Sequence, residues 1–252
     1  MESNKRQKEI IDLLKENKLL SVNELSKRLF IGPASIRRDL NKLEKLGHVK
    51  RTHGGATLLD GLDSEIPLYV REEEARKEKE YIAKLAVKFV RDKDIILMDS
   101  SSTTYQITKF LQSYSGITVI TNGAKTAIAL GEKNISVYCT GGKLREFSLS
   151  YIGDTAKKFL ENFCGNTLFF SCRAISDDFV LYDSSEYEAE LRKVMIKQCN
   201  KVVLLCDSAK IGKKSFYKIC DFSNINYLVT DKKPDDKFIA QLKECGCGVI
   251  WE

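Results

Sequence analysis

The sequence lacks the long apolar segments of membrane proteins and of secreted precursors. No apolar run approaches the roughly 18 residues that a transmembrane helix needs. Charged residues stand near the N-terminus, where a signal peptide would be apolar. We therefore expect a cytoplasmic protein that does not associate with a membrane.

Histidine is scarce, and cysteine is missing from the first half of the chain. The two histidines, His48 and His53, are far in sequence from the eight cysteines, which all lie beyond residue 138. One residue separates Cys245 from Cys247, which is not a usual zinc or redox spacing. Most cysteines lie in or beside apolar runs, where a free cysteine behaves as a small hydrophobic residue. We expect reduced core thiols, no metal site and no cofactor.

Acidic residues are under-represented only near the N-terminus. The 252-residue chain has a net charge of +6, and residues 1–56 hold 13 Lys and Arg against 7 Asp and Glu, so the remainder is neutral. The length and the 43% hydrophobic content fit a medium domain with its own core and a smaller domain. The concentration of positive charge in residues 1–56 indicates a small module that binds a polyanion, joined to a module with another function.

The segment from Pro33 to Gly47 predicts a helix with one apolar and one basic face. At about 100° per residue, Ile36, Leu40 and Leu43 fall on one side. Arg38, Asn41 and Lys45 fall nearly opposite, and Arg37 and Lys42 flank this basic face. Proline suits a first helical turn and glycine suits a helix end. One face should pack, and the other is available for an anionic partner.

The preceding residues predict two more helices. Asn4 to Asn17 has amphipathic spacing, and Leu19-Leu20 reads as a connector. Ser21 and Glu24 form a capping box, which starts a second helix that ends near Phe30. A tight Ile31-Gly32 turn then leads into the basic helix. This arrangement is typical of a helix-turn-helix.

Residues 48–59 predict the wing of a winged helix. Two alternating segments flank a Gly54-Gly55 turn, which is typical of a β-hairpin. Lys50, Arg51 and His53 would contact phosphates there. The alternative is a three-helix domain that binds a protein partner and has a solvated basic face.

The rest of the chain alternates apolar strands with helical stretches. The strands are predicted at 94–99, 117–121, 135–139, 167–170, 201–206 and 227–230, with helices including 104–111, 125–131, 155–163 and 186–199. This pattern favours an open, mostly parallel α/β sheet.

Polar residues follow most of these strands. The carboxyl ends of parallel strands form the ligand crevice of open α/β sheets, so these residues should converge there. The loop from Ser100 to Thr104 lies between a strand and a helix and predicts a phosphate-binding loop. The alternative is ordinary helix capping by Ser and Thr. Lys210 would add a cation at the same edge or lie on plain surface.

Several motifs together resemble the DeoR family of bacterial repressors over nearly the whole chain. They are Ser35-Ile-Arg-Arg-Asp-Leu40, Leu43-Glu44, Arg51-Thr-His-Gly-Gly55, Asp99-Ser-Ser-Ser-Thr-Thr104, Thr121-Asn122, Thr140-Gly-Gly142, Ser150-Tyr-Ile-Gly153, Glu188-Ala-Glu190, Asp207 with Lys210, and Thr230-Asp231. The resemblance implies a winged helix-turn-helix domain and a larger sensor domain. The sensor domain would be similar to ribose-phosphate isomerase folds and would bind phosphorylated sugars without turning them over.

The expected site residues form two sets. The DNA-binding set is Ser35, Arg37, Arg38, Asn41, Lys42, Lys45, Lys50, Arg51 and His53. The ligand-binding set is Asp99, Ser100, Ser101, Ser102, Thr103, Thr104, Thr121, Asn122, Gly141, Gly142 and Lys210.

Two places depart from the family pattern. Gly32 and Pro33 replace the usual Ser and Glu at the start of the basic helix. Residues 166–174 lack the usual glycine-rich loop, so Ser171, Cys172 and Arg173 are expected to narrow the crevice or add an anion contact there.

We expect a DNA-binding domain at 1–59, a linker at 60–77 and an α/β phosphosugar-sensing domain at 78–252. The expected function is repression of a sugar-utilisation operon. The partners would be double-stranded operator DNA, a phosphorylated sugar that releases the repressor, and further copies of the chain. The charged run Arg71–Glu80 would couple the domains. The alternatives are a phosphosugar isomerase or deaminase with an accessory DNA-binding domain, and a helix-turn-helix protein whose large domain only oligomerises.

Overall fold

The computed structural model describes residues 3–45, 48–58 and 67–252, with Ser3, Asn4 and Lys45 described by their backbone alone. Contacts divide the chain into two compact units, Met1–Glu74 and Ala75–Glu252. The first unit has one hydrophobic core, and the second has a core on each face of its main sheet.

The first unit has the elements of a winged helix. They are α1 (Ser3–Asn17), β1 (Leu19–Ser21), α2 (Val22–Leu29), α3 (Pro33–Lys45), β2 (Val49–Thr52), β3 (Gly55–Leu58) and α4 (Leu68–Glu73). The strands form an antiparallel sheet in the order β1-β3-β2. The predicted hairpin is therefore confirmed. The connector expected at Leu19-Leu20 is instead a strand, because its backbone pairs with β3.

The second unit is an α/β domain. Its elements are α5 (Arg76–Ala86), β4 (Ile95–Met98), α6 (Ser102–Tyr105), β5 (Thr118–Thr121), α7 (Ala124–Gly131), β6 (Ser136–Cys139), β7 (Lys143–Arg145), β8 (Ser150–Ile152), α8 (Asp154–Leu160), β9 (Gly165–Phe170), β10 (Ala174–Ile175), β11 (Val180–Asp183), α9 (Glu186–Lys197), β12 (Cys199–Leu205), β13 (Tyr217–Asp221), β14 (Tyr227–Val229), α10 (Asp236–Glu244) and β15 (Gly248–Ile250).

The main sheet of the second unit confirms the expected parallel architecture. Its strand order is β15-β14-β12-β9-β4-β5-β6, and all its pairs are parallel. The side chains of β4 alternate, with Leu97 in one core and Ile96 and Met98 in the other. The carboxyl ends of β4, β5, β9 and β12 therefore meet at one edge.

Several local predictions in this unit were wrong or incomplete. The helix expected at 104–111 is the short α6 followed by 3-10 turns at Gln106–Lys109 and Leu111–Ser113. β-Branched threonines and isoleucine in this stretch disfavour a longer helix. The antiparallel pair β7-β8 and the small sheet β10-β11-β13 were not predicted. Their short strands have too few residues to show a clear alternation.

The expected linker at 60–77 is described from residue 67 onward. There, α4 and the start of α5 are helical, and Val70 is fully buried in the core of the first unit. Residues 59–66, and Gly47 as the expected end of the basic helix, lie outside the described residues.

Candidate functional sites

The helix-turn-helix is set by caps at both ends of α2. The Ser21 hydroxyl accepts from the Glu24 N–H at 3.2 Å, and the Glu24 carboxylate accepts from the Ser21 N–H at 2.8 Å. The predicted capping box is thus confirmed. Phe30 ends α2 in the left-handed conformation, and the Gly32 carbonyl accepts from the Ile36 N–H at 3.2 Å at the start of α3. The turn orients α3 against α2.

Helix α3 has the two faces that its sequence predicts. Ile36, Leu40 and Leu43 are fully buried. The expected contact residues Arg37, Arg38, Asn41 and Lys42 are exposed, whereas Ser35 is half-buried. Arg38 donates to the Ser35 hydroxyl at 3.2 Å. The Lys45 side chain lies outside the described part of the chain.

The wing is tied to α3 through Arg51. The Arg51 guanidinium donates to the Asn41 side-chain oxygen and, at 3.2 Å, to the Gly55 carbonyl. Its backbone N–H donates to Glu44 at 2.8 Å. Lys50 and His53 are exposed on the hairpin. Arg51 therefore joins two parts of the expected DNA-binding surface, a role that the sequence pattern did not reveal.

A buried polar cluster supports the inner side of α3. Asp39 is 1% exposed and accepts from Arg6 and, at 3.2 Å, from Gln7. The Tyr69 hydroxyl of α4 donates to the Gln7 side-chain oxygen at 2.5 Å. Burial, together with the Asp39 charge, raises the pKa of Tyr69 to about 12, so the hydroxyl stays protonated. The amphipathic pattern of α3 gave no sign that Asp39 is buried.

The main polar site of the second unit lies where β4 ends. The Asp99 carboxylate accepts from the Ser101 N–H at 3.1 Å, the Ser171 N–H at 3.2 Å and Arg192 at 2.8 Å. Burial works to raise the pKa of Asp99, but the Arg192 charge and the hydrogen bonds outweigh it, and that pKa is lowered. Asp99 is therefore an ionised anchor for the loops after β4 and β9.

Arg192 connects the acidic side chains of this edge. Its guanidinium lies 2.8 Å from Asp99, 2.7 Å from Asp183 and 3.9 Å from Glu188. Burial disfavours its charge, yet Asp183, Asp99 and Glu188 raise the pKa of Arg192 above its ordinary value. Sequence reasoning missed Arg192, because its partners are up to 93 residues away in the chain.

Glu188 brings the β8 strand to the same edge. Its carboxylate accepts from Ser100 at 3.2 Å and from Ser150, and Arg145 lies 3.9 Å away. Arg145 also donates to the Ser185 hydroxyl. The hairpin β7-β8 thus supplies a serine and an arginine. The sequence offered the Ser150 motif only through resemblance and gave no signal for Arg145.

The expected ligand loop has both capping and unpaired groups. The Ser101 hydroxyl caps α6 at the Thr104 N–H, 3.1 Å away, and contacts the Thr104 hydroxyl at 2.7 Å. Ser102 is also buried. Thr103 Oγ1, by contrast, is buried and has no hydrogen-bond partner within the described residues. The capping interpretation therefore holds for Ser101, whereas the buried Thr103 hydroxyl in α6 has hydrogen-bonding capacity that the described residues do not use.

The loop after β5 lies against this one. The Thr121 hydroxyl accepts from the Gly123 N–H at 3.0 Å. A Cβ atom at Gly123 would lie 3.2 Å from Ser100 Cα, a tight contact, so the absence of a side chain lets the two loops pack closely. Asn122 donates to the Tyr151 carbonyl at 3.3 Å, whereas its buried Oδ1 has no partner in the ranges that the structure describes.

The remaining expected residues lie at the ends of other strands. Gly141 and Gly142 follow β6 with φ of +63° and +103°, conformations that favour glycine. Lys210 follows β12 and is 3.2 Å from Asp207 and 3.3 Å from the Ser171 hydroxyl. Lys210 is therefore joined to the atypical segment after β9.

The atypical segment contributes differently from the expectation. Ser171 binds Asp99 and Lys210, but Cys172 points into the core and contacts Cys206 at a sulfur–sulfur distance of 3.9 Å. Arg173 donates its backbone N–H to the Tyr182 carbonyl at 2.8 Å, and its side chain forms no hydrogen bond or ion pair with the described residues. The cysteines are free thiols as predicted, although Cys164 and Cys245 are exposed rather than in the core.

The described residues contain no helix that is long and apolar enough to cross a membrane. Within the same ranges, no three or more His, Cys, Asp or Glu side chains are grouped to hold a metal ion.

A winged helix-turn-helix with a basic outer face, joined to a parallel α/β unit, defines a DNA-binding regulator. The chain matches the DeoR-like helix-turn-helix domain over residues 6–61 and the DeoR C terminal sensor domain over residues 74–232. It belongs to the DeoR family of transcriptional regulators.

The chain is also similar to individual proteins. It is 38% identical to the HTH-type transcriptional regulator YulB of Bacillus subtilis, covering 95% of this chain and 93% of that protein. It is 28% identical to a lactose phosphotransferase system repressor of Staphylococcus epidermidis, covering 91% and 92%. A solved ribose-5-phosphate isomerase in complex with phospho-erythronic acid is a distant structural neighbour, with 15% identity, 54% coverage of each chain and a TM-score of 0.42.

Proposed function

We propose that the protein represses a sugar-utilisation operon and is released from its operator by a phosphorylated sugar. The sugar binds at the carboxyl edge of the parallel sheet. One observation carries the proposal: Thr103 Oγ1 and Asn122 Oδ1 are buried and unpaired within the described residues. Thr103 lies in α6, just beyond β4, and Asn122 directly follows the neighbouring strand β5. An unpaired buried polar atom costs free energy, which a bound ligand can recover.

The surrounding side chains suit a ligand that is both polar and anionic. Serine hydroxyls and Glu188 can exchange hydrogen bonds with sugar hydroxyls, because they already form a connected network. Two cations are available: Arg145 lies 3.9 Å from Glu188, and Lys210 lies 3.3 Å from the Ser171 hydroxyl. Each of their side chains is 19% exposed. A phosphate group would pair with one of these cations.

The same site is poorly suited to isomerase or deaminase chemistry. Such a reaction needs a general base whose pKa lies near the working pH. Arg192 holds the pKa of Asp99 below its ordinary value, so Asp99 is a weak base. This favours a sensor over the alternative of an enzyme with an accessory DNA-binding domain.

Isothermal titration calorimetry with phosphorylated and free sugars tests the ligand class. We expect saturable binding of at least one phosphorylated sugar and loss of that binding in Thr103→Val, which replaces the hydroxyl with a methyl group of similar size. Binding of free sugars alone would contradict the phosphate part of the proposal. Steady turnover of ribose 5-phosphate or glucosamine 6-phosphate, abolished by Asp99→Asn, would favour the enzyme instead.

Control of DNA binding requires the ligand to favour one state of the protein over another. Only two non-helical residues, the extended Glu74 and the left-handed Ala75, connect α4 to α5. Helix α5 in turn packs on α6, which follows the Asp99 loop. At the other end, α4 reaches α3 through Tyr69, Gln7 and Asp39. We therefore assign the coupling to α4 and the charged segment Arg71–Glu80.

The regulator acts in this proposal as a symmetric oligomer joined through its second unit. Two recognition helices must be held at a fixed spacing to meet successive half-sites on a duplex. A bound sugar that changes this spacing lowers operator affinity. Sedimentation equilibrium of the full chain tests this point, and a monomer at operator-binding concentrations would contradict it.

A further inference from the structure

Phe30 occupies a position where both its exposure to solvent and its backbone conformation are unfavourable for a phenylalanine. Its side chain is 94% exposed, and its backbone is left-handed, with φ of 55° and ψ of 41°. Glycine or asparagine normally ends a helix in this conformation, because a side chain is strained there. An exposed aromatic side chain also gains nothing from burial. Both features count against Phe30 unless the ring has a partner.

The position of Phe30 indicates what that partner is. The residue lies in the turn of the helix-turn-helix, between the end of α2 at Leu29 and the start of α3 at Pro33. Its neighbours Leu29 and Ile31 pack against the core, so the ring alone faces outward. Phe30 is therefore adjacent in the chain to the start of the recognition helix, where contacts with a duplex begin.

The charges around the turn suit a nucleic acid rather than a second copy of the chain. Lys27 and Arg28 are exposed in the last turn of α2, and Arg37 and Arg38 are exposed on α3. Four cations would repel the same surface of another copy. A duplex offers anionic phosphates beside apolar deoxyribose carbons, which matches an apolar ring among cations.

We propose that Phe30 packs against the deoxyribose of a bound duplex, while Lys27 and Arg28 contact the flanking phosphates. This contact is independent of base sequence and does not depend on any sugar effector. It adds an apolar anchor to the DNA-binding surface, and it accounts for a strained and exposed residue in the turn.

The test uses the full chain and a fluorescein-labelled duplex of mixed sequence, with affinity measured by anisotropy over a range of salt concentrations. Phe30→Gly should weaken binding roughly 3- to 20-fold, because the apolar contact is lost. Its log–log salt slope should stay unchanged. Arg28→Ala should instead reduce that slope by about 0.9, because one phosphate contact is lost. Phe30→Tyr should bind like the wild type.

Hydrogen exchange separates this contact from a structural role. Phe30→Gly relieves backbone strain, so the amides of α2 and α3 should exchange no faster than in the wild type. Lys18→Gly is the matched control, because Lys18 is also exposed with φ of 55° at a helix end. It should keep wild-type DNA affinity.

Three results would overturn the proposal. One is wild-type affinity in Phe30→Gly. Another is weaker binding in Phe30→Gly together with faster exchange in α2 and α3, which would mean a folding defect. The third is a change of oligomeric state in Phe30→Gly by sedimentation, which would assign the ring to a protein interface.

Discussion

The DNA-binding face of α3 and the polar site around Asp99 differ in the sequence distance between the residues that form them. On α3, the buried Ile36, Leu40 and Leu43 alternate with exposed cations within a few residues. At the sheet edge, Asp99 meets Arg192 and Ser171, which are 93 and 72 residues away. A helix face can be read from spacing, whereas a network between strand ends depends on the tertiary fold.

The largest expected effect concerns Arg192 at the sheet edge. Arg192→Met leaves three buried carboxylates without their shared cation. Breaking a buried ion pair from one side typically costs about 3–5 kcal/mol. Urea unfolding followed by the fluorescence of Trp251, the single tryptophan, should show this loss in the second unit. Arg91→Met, which changes an exposed arginine, should unfold like the wild type.

The free energy of unfolding at acidic pH provides a second test of the ion pairs around Arg192. The pKa of Asp99 is lowered from its ordinary value of 3.8, so Asp99 contributes stability above that value. That contribution is lost as the pH falls through the lowered pKa. Without Arg192, burial dominates and favours protonated Asp99. The stability difference between wild type and Arg192→Met should therefore shrink below pH 3.8, and a constant difference would contradict the assignment.

The exposed face of α3 should show a smaller effect that is specific for sequence. Arg38→Ala and Asn41→Ala should weaken operator binding and relax base preference, since a good bidentate base contact contributes about 1–3 kcal/mol of discrimination. The measurement is the ratio of affinities for operator and random duplex. Glu9→Ala, a change on α1 outside the proposed contact set, is the control. A wild-type ratio in both α3 variants would mean that this face does not read bases.

The hydrogen-bonded cluster of Tyr69, Gln7 and Asp39 should affect the response to sugar more than the affinity for operator DNA. Tyr69→Phe removes the hydroxyl that donates to Gln7. Operator affinity without sugar should stay close to wild type, while the sugar-induced change should shrink, by roughly 0.5–2 kcal/mol. Tyr217→Phe is the matched control, because it removes a hydroxyl that donates to Glu190 at 3.1 Å and lies in β13, outside α4 and α5. It should respond to the sugar like the wild type. Equal responses in Tyr69→Phe and wild type would remove α4 from the coupling route.

The smallest expected effect separates the two wing cations. Lys50→Ala should reduce the log–log salt slope by about 0.9 and weaken all duplexes alike. Arg51→Ala should do the same and also lower base preference, because Arg51 holds the Asn41 side chain. Identical behaviour of the two variants would mean that the bond between Arg51 and Asn41 has no role in recognition.

The contrast between the two sites also shows what the sequence could predict. Capping at Ser21, the α3 faces and the wing hairpin depend on local chemistry, and they were predicted. The ends of the parallel strands could be predicted because continuous apolar runs indicate buried strands. Arg145, Asp39 and Arg192 could not be found, since nothing near them in the chain distinguishes a buried charge from a solvated one. The atypical segment was noticed, but the inward turn of Cys172 depends on packing against Cys206.

Operator affinity of the full chain, measured by fluorescence anisotropy with and without the tightest-binding phosphorylated sugar, tests the regulatory proposal most directly. The sugar should weaken operator binding roughly 5- to 150-fold, the usual range of coupling between two sites. Thr103→Val and Lys210→Ala should bind operator normally but respond weakly to the sugar. Equal wild-type affinities with and without sugar would contradict the switch, and full release in both variants would place the effector elsewhere.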